Sequence, residues 1–160
     1  MRAHYFPLLL LVLTCNAPVV RAFDLAEIEQ PRILRKAAAY MQEEPLTVTA
    51  FPAGRSAGTR HDFYSEGDYW WPDPGNPGGP YVRRDGMSNP DNFVAHRRAM
   101  VRLSDIIGTL TSAWIITKDQ RYASHAREHL LAWFVDENTK MNPSLLYGQA
   151  IEGRVTGRSI

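Results

Sequence analysis

Two helical patterns of hydrophobic residues, separated by a very short connection, constrain the fold of this 160-residue chain more than any other feature. Over residues 92–117 and 119–135, large apolar side chains recur every three or four positions, which is the spacing of one helix face. Asp91 and Asp119 precede the two patterns and are predicted to be their N-caps. Because helices with so short a connection pack side by side, the sequence predicts an αα-hairpin.

A third helical pattern covers residues 24–41 and ends before Pro45. Pro31 lies near its start, where a proline suits the first turn of a helix. No alternation of apolar and polar residues is long enough to predict a strand. The predicted fold class is therefore all-α.

The first 22 residues have the parts of a secretory signal peptide. Arg2 supplies a positive charge, residues 6–12 are almost entirely apolar, and Val20-Arg21-Ala22 resembles a cleavage site. The apolar run is shorter than the roughly 20 residues that a membrane-spanning helix needs. We expect cleavage after Ala22 and a secreted or periplasmic protein, with residues 23–160 forming one domain and no remaining membrane anchor.

Composition excludes several functions. Removal of the signal peptide lowers the 18 basic residues to 16, against 17 acidic ones, so the net charge of the rest is −1. A chain without a basic field is a poor partner for nucleic acid. Its single cysteine, Cys15, lies within the signal peptide, which leaves no thiol or disulfide. No spacing of His, Asp or Cys predicts a metal site, and we expect no cofactor.

Residues 46–90 hold most of the glycines and prolines and are predicted to form one long loop. Long loops in compact domains are usually either functional or disordered. Large rings are too numerous here for a disordered linker, which favours function: Phe63, Tyr64, Tyr69, Trp70, Trp71 and Tyr81.

Two blocks of the sequence, one in the long loop and one after the second predicted helix, are rich in uncommon residues. The first is Asp68-Tyr69-Trp70-Trp71-Pro72-Asp73-Pro74 followed by Gly79-Pro80-Tyr81-Val82-Arg83-Arg84-Asp85-Gly86, and the second is Met141-Asn142-Pro143 with Leu145, Tyr147, Gln149-Ala150-Ile151 and Gly153. Together they resemble the alginate lyase domain family. The helical hairpin between them, with Thr117, Asp119, Tyr122-Ala123 and Trp133-Phe134, is similar to that family's first hairpin, and Gly157-Arg158 to the start of its next helix.

The resemblance implies an (α/α) toroid that cleaves an acidic polysaccharide by β-elimination, without a cofactor. Members of the family continue through further helical hairpins, and their Asn-His pair that neutralises the uronate carboxylate would lie beyond Ile160. Glu152 and Ser159 also depart from the family pattern, where proline and glycine are expected. We therefore expect an incomplete toroid, an amino-terminal fragment whose own activity is open, from a protein that is a monomer when complete.

β-Elimination needs a base for the proton next to the uronate carboxylate, an acid for the leaving oxygen, and cationic groups that neutralise the carboxylate. Tyr69, Tyr64 and His61 are the predicted catalytic residues, because they lie in or beside the aromatic loop. A substrate contact without proton transfer remains the alternative for the two tyrosines.

Predicted substrate contacts fall into three kinds: aromatic platforms for sugar rings, cations for carboxylates, and polar residues in turns. They are Trp70, Trp71, Arg83, Arg84, Asn142, Tyr147, Gln149 and Arg158. Anchoring of the loop by the tryptophans and backbone bonding by the polar residues are equally open, whereas for the two arginines an ion-pair cluster with Asp85 is favoured over a substrate contact.

Two other functions remain possible from sequence. A glycoside hydrolase on a similar toroid would need two carboxylates across the scissile bond, for which Glu66, Asp68 and Asp73 are candidates. A non-catalytic carbohydrate-binding protein would use the same aromatic residues without turnover.

Overall fold

The structure, a computed structural model, describes residues 25–151, with side chains from residue 27 onward. The elements follow in the order α1 (Leu25–Tyr40), β1 (Tyr64–Glu66), β2 (Trp70–Trp71), β3 (Val82–Arg83), α2 (Ala95–Thr117), α3 (Gln120–Phe134) and β4 (Tyr147–Ala150). A 3-10 helix, Val48–Ala50, lies between α1 and β1. The predicted signal peptide lies outside the described residues.

The predicted αα-hairpin is confirmed by α2 and α3, which pack against each other along their lengths. Asp119 is the N-cap of α3, and its side chain accepts a hydrogen bond from the backbone N–H of Arg121 at 3.0 Å. Lys118 ends α2 in the left-handed conformation, with φ 59°, and its N–H bonds the carbonyl of Trp114 at 2.7 Å. This conformation turns the chain within two residues.

Helix α1 confirms the third pattern, but Pro31 lies inside the helix rather than in its first turn. The N-cap of α2 is Val94, without a side-chain bond, so the predicted capping by Asp91 is wrong. The backbone of the preceding residues bonds other groups instead: Asp91 N–H donates to Asn89 Oδ1, and Phe93 N–H to the Glu66 carboxylate.

Two hydrophobic clusters meet on α2, which lies at the centre of the described structure. Ala37 and Tyr40 of α1 pack with Ile106, Leu110 and Ala113 of α2 and with Ala126 of α3. Val48 and Phe63 of the long loop pack with Ala99, Leu103 and Trp133. By length and composition alone α2 could span a membrane, which is weak evidence for a single helix; in the structure it packs against α1 and α3. Because Val48 and Phe63 are buried in the second cluster, the long loop packs as part of the hydrophobic core.

The all-α prediction is wrong, because the described residues contain two small sheets beside three helices. Strand β1 pairs with β4 in parallel, Tyr64 opposite Tyr147 and Glu66 opposite Ala150, with an irregular register between them. Strands β2 and β3 pair antiparallel, Trp70 opposite Arg83. The described helices and sheets do not form an all-α toroid. Strands of two to four residues are too short to produce an alternating pattern, which is why the sequence did not reveal them.

Candidate functional site

A cavity of about 460 Å³ lies between the β2–β3 hairpin and the N-terminal half of α2. Its wall combines three distant parts of the chain, namely the loop around β1 and β2, one face of α2, and β4 with the residue after it. Four of the predicted site residues line it: Tyr69, Trp70, Arg83 and Gln149. The fold thus brings together groups from both of the sequence blocks.

A second, larger cavity of about 620 Å³ is lined by other residues of the loop, α2 and α3. Its lining combines aromatic side chains, among them Phe51 and Trp133, with the arginines Arg55, Arg98 and Arg102, and it contains none of the predicted site residues. We take the smaller cavity as the candidate site because residues predicted from both sequence blocks line it together.

Glu66 fixes the inner wall of the candidate site. Its side chain is only 4% exposed, and its carboxylate accepts four hydrogen bonds. Arg55 donates two of them, at 2.7 and 2.6 Å, the Tyr64 hydroxyl donates one at 2.8 Å, and the Phe93 N–H one at 2.7 Å. A buried carboxylate is tolerated only when it is paired and saturated in this way. Strand β1 is consequently fastened to the start of α2.

Asp68 and Arg97 form the second attachment between loop and helix. Two guanidinium nitrogens of Arg97 donate to the two carboxylate oxygens of Asp68 at 2.9 and 2.7 Å. Asn89 and Asn92, both buried, donate from their amides to the carbonyls of Trp70 and Gly67. These bonds hold the backbone on which the predicted aromatic residues are carried.

The two predicted catalytic tyrosines occupy different environments. Tyr64 is 3% exposed, its hydroxyl is bound to Glu66, and burial together with that carboxylate raises its pKa well above the ordinary 10.0. Tyr69 is 42% exposed and lines the cavity. A phenol that must exchange a proton with substrate has to be reachable, which only the second position provides.

The two predicted tryptophan platforms also differ. Trp70 lines the cavity and lies directly over Gly67, where an added Cβ would approach its Cδ1 atom to 2.7 Å. Trp71 donates from Nε1 to the carbonyl of Met87 at 2.8 Å, and the guanidinium of Arg84 stands 5.2 Å from its ring centre. Trp71 and Arg84 therefore stabilise the hairpin by a cation–π contact, outside the cavity.

Arg83 is the more exposed of the predicted cations. Its Nε lies 2.6 Å from Asp85, with 61% of the Arg83 side chain and 73% of the Asp85 side chain exposed. Ion pairs this exposed contribute at most about 1 kcal/mol. Arg83 can therefore exchange Asp85 for another carboxylate at little cost.

His61, Asn142 and Tyr147 lie together but outside the cavity lining. His61 Nδ1 is 2.7 Å from the carbonyl of Lys140, and Asn142 donates from Nδ2 to Asp62 at 2.8 Å. Burial by itself would raise the pKa of Asp62, but hydrogen bonds from Asn142 and Thr59 outweigh it and hold that pKa below 3.8. Tyr147 is half-buried in β4 beside this cluster, which ties the second block to the loop.

The last two of the predicted site residues are Gln149 and Arg158. Gln149 is exposed in β4 and lines the cavity. Arg158 lies outside the described residues.

The sequence did not single out Arg97, Met100 or Glu66 as parts of a lyase site, although all three line the cavity. The position of Arg97 within the apolar stripe of α2 was the available signal, because a cation on that face must meet a partner.

The wall of the cavity thus contains a phenol, an indole and two guanidinium groups together with the carboxylates of Glu66 and Asp68. The family model described as Alginate lyase matches residues 47–160. This chain therefore belongs to the alginate lyase family.

One solved structure similar to this chain is the crystal structure of an alginate lyase from Bacteroides ovatus. The two are 39% identical, with a TM-score of 0.69, and the match covers 79% of this chain. It covers 34% of that chain, so the present sequence spans about a third of its relative's length. No curated protein sequence matches the chain.

Proposed function

We propose that this chain carries the substrate-binding loops of a polysaccharide lyase that cleaves alginate or a related uronate polymer by β-elimination. The observation that supports the proposal most directly is the cavity that joins Tyr69, Trp70, Arg83 and Gln149, in a member of the alginate lyase family. Each of these groups matches one requirement of a uronate substrate.

Charge is the first requirement. The proton removed in β-elimination is adjacent to a carboxylate, and it becomes acidic enough only when that carboxylate is neutralised. Arg83 is available for this because its pairing with the exposed Asp85 is weak. In the proposed complex the guanidinium of Arg83 contacts a uronate carboxylate, and Trp70 offers one face of its indole to a sugar ring.

Proton transfer is the second requirement. We assign it to the Tyr69 phenol, which is exposed in the cavity, rather than to Tyr64, which is buried and bound to Glu66. His61 is the weaker candidate, because its Nδ1 already lies 2.7 Å from the Lys140 carbonyl and the ring does not line the cavity. Tyr69 would act as base, as acid for the leaving oxygen, or as both in sequence.

Hydrolysis by paired carboxylates is less well supported. Glu66 is buried and saturated by Arg55, Tyr64 and Phe93, so among the described carboxylates of the cavity only Asp68 could exchange its partner. Asp73 accepts from the Gly75 N–H in an exposed turn. A hydrolase needs one carboxyl group free to protonate the leaving oxygen and another facing the sugar.

Export belongs to the same proposal. We infer a secreted or periplasmic location, in which the lyase would meet uronate polymers outside the cytoplasm. The apolar amino-terminal segment ending at Ala22 supports this location.

The proposal is tested by incubating the chain with alginate while following both binding and the ultraviolet absorbance of unsaturated uronate products. We expect binding of alginate oligosaccharides, and any product formation to be abolished by Tyr69→Phe. Tyr122→Phe removes a hydroxyl on α3 outside the cavity and is the matched control. Binding without product in the wild-type chain would favour the carbohydrate-binding alternative, and an absence of binding would refute the proposal.

A further inference from the structure

The ion pair between Arg97 and Asp68 stands in the wall of the candidate site and is open to it. The side chains are 43% and 41% exposed, and both residues line the cavity. Arg97 projects from α2, whose position is set by packing against α1 and α3. It is thus a cation on a rigid element, whereas Arg83 lies on a small hairpin.

Arg97 retains unused hydrogen-bonding capacity. A guanidinium has five N–H donors, and the pair with Asp68 uses one on each terminal nitrogen. Among the described residues no further acceptor binds Arg97. Its planar, doubly hydrogen-bonded contact with Asp68 has the geometry that a guanidinium adopts with any carboxylate, including that of a uronic acid.

The carboxylate of Asp68 is not required to hold the loop in place. Backbone and amide bonds do so on both sides of it: Asn89 N–H donates to the Asp68 carbonyl at 2.8 Å, Asn92 Nδ2 to the Gly67 carbonyl at 2.8 Å, and Gly67 N–H to the Ala150 carbonyl at 3.0 Å. Glu66 is fastened separately by Arg55. The Asp68 side chain can therefore leave Arg97 while the loop stays attached.

We propose that Arg97 selects uronate over neutral sugar residues by binding a substrate carboxylate in place of Asp68, which occupies Arg97 when the cavity is empty. The inference rests on the proposed function, because it concerns the same cavity. It adds a specificity residue from α2 and gives Asp68 the role of an internal competitor. A pair this exposed is weak enough for an incoming carboxylate to replace it.

The two partners then have opposite effects on uronate binding, which no purely structural role predicts. Arg97→Gln removes a charge-assisted contact, so we expect the dissociation constant for a uronate oligosaccharide to rise about tenfold or more. Asp68→Asn removes the competitor, so we expect that constant to fall about two- to fivefold, the equivalent of one surface ion pair. If the pair only braced the loop, both variants would weaken binding.

The experiment measures, by titration calorimetry of the whole chain, the affinity for a short mannuronate oligosaccharide and for a neutral mannose oligosaccharide of the same length and linkage. Arg98→Gln is the control: it is next to Arg97 on α2 and loses the same charge, but it lines the larger cavity. Affinity for the neutral sugar should be unchanged in every variant. Thermal unfolding of each protein checks that the fold is kept.

The outcomes separate the two proposals. If the wild-type chain does not prefer the uronate over the neutral sugar, the proposed function fails, and this inference fails with it. If the wild-type chain prefers uronate and Arg97→Gln keeps that preference, or Asp68→Asn binds uronate more weakly, the proposed function stands and the inference is overturned. The Asp68→Asn variant still tests the inference if Arg97→Gln folds poorly, because a gain in affinity for the uronate cannot come from misfolding.

Discussion

Replacement of Glu66 by glutamine tests whether the loop is truly fastened to α2 by one buried carboxylate. Both carboxylate oxygens of Glu66 accept two hydrogen bonds each: Oε1 from Arg55 Nε and Tyr64, and Oε2 from Arg55 Nη2 and Phe93. The glutamine amide must place its NH₂ group at one of the two oxygen positions, where it faces hydrogen-bond donors. The free-energy cost is lower at the Oε1 position, because the Tyr64 hydroxyl can rotate and accept a hydrogen bond from the amide. At the Oε2 position the Phe93 N–H cannot accept one.

The magnitude follows from the bonds that remain. In the cheaper orientation the variant loses the charge-assisted bond from Arg55 Nε, and the bond from Arg55 Nη2 becomes one to a neutral acceptor. A charge-assisted hydrogen bond contributes about 1.5–3 kcal/mol. The Arg55 side chain is 43% exposed, so water recovers part of the loss. We therefore expect the free energy of unfolding to fall by about 2–3 kcal/mol, with a decrease in Tm of roughly 8 °C.

Urea denaturation followed by circular dichroism measures this change, and Glu137→Gln is the matched control. Glu137 pairs with Lys140 at 2.5 Å but is 81% exposed, so the same substitution there should cost less than about 0.5 kcal/mol. Equal losses in the two variants would refute the reasoning, because Glu66 would then behave as a surface residue.

Two further predictions concern pH and the helical hairpin. Buried His96 accepts from the Tyr64 N–H through Nδ1, with Nε2 2.7 Å from the Phe51 carbonyl, and burial lowers its pKa below 6.5. The contribution of neutral His96 to the free energy of unfolding is therefore complete above pH 6.5 and lost as the pH falls below that value. Denaturation midpoints measured down to about pH 5, together with an NMR titration of the imidazole, check this pH dependence. A stability that does not change with pH in this range would contradict it. Lys118→Gly should stabilise the chain by up to about 1 kcal/mol and Lys118→Ala should not, because only glycine relieves the positive φ; equal melting temperatures would contradict this.

The helices could be predicted from sequence because their information is local. Apolar residues at helical spacing and the capping residue Asp119 lie within the segments that they specify. Capping by Asp91 was mispredicted for a non-local reason, since Asn89, Asn92 and Phe93 bind the loop around Glu66 and delay the start of α2 to Ala95. No pattern near residue 91 contains that information.

The β1–β4 sheet, and with it the positions of the predicted site residues in the second sequence block, depends on a pairing between distant residues. Strand β1 meets β4 more than 80 residues later in the chain, over three or four residues, which is too short for an alternating sequence pattern to stand out. The same pairing brings Gln149 to the cavity that Tyr69 lines, and it leaves Asn142 and Tyr147 beside His61. Residue type therefore predicted side chains that would suit a uronate, whereas the parallel pairing decided that Gln149, and not Asn142 or Tyr147, lines the cavity.

The two ion pairs in the candidate site make it possible to test substrate selection separately from catalysis. Among the described residues, the two cations that line the candidate site, Arg97 and Arg83, are paired with Asp68 and Asp85. In the proposed complex a uronate carboxylate replaces one of these two exposed partners while the Glu66 network stays intact. The affinity titrations therefore test recognition separately from turnover, which also depends on the proton transfer that Tyr69 is proposed to perform.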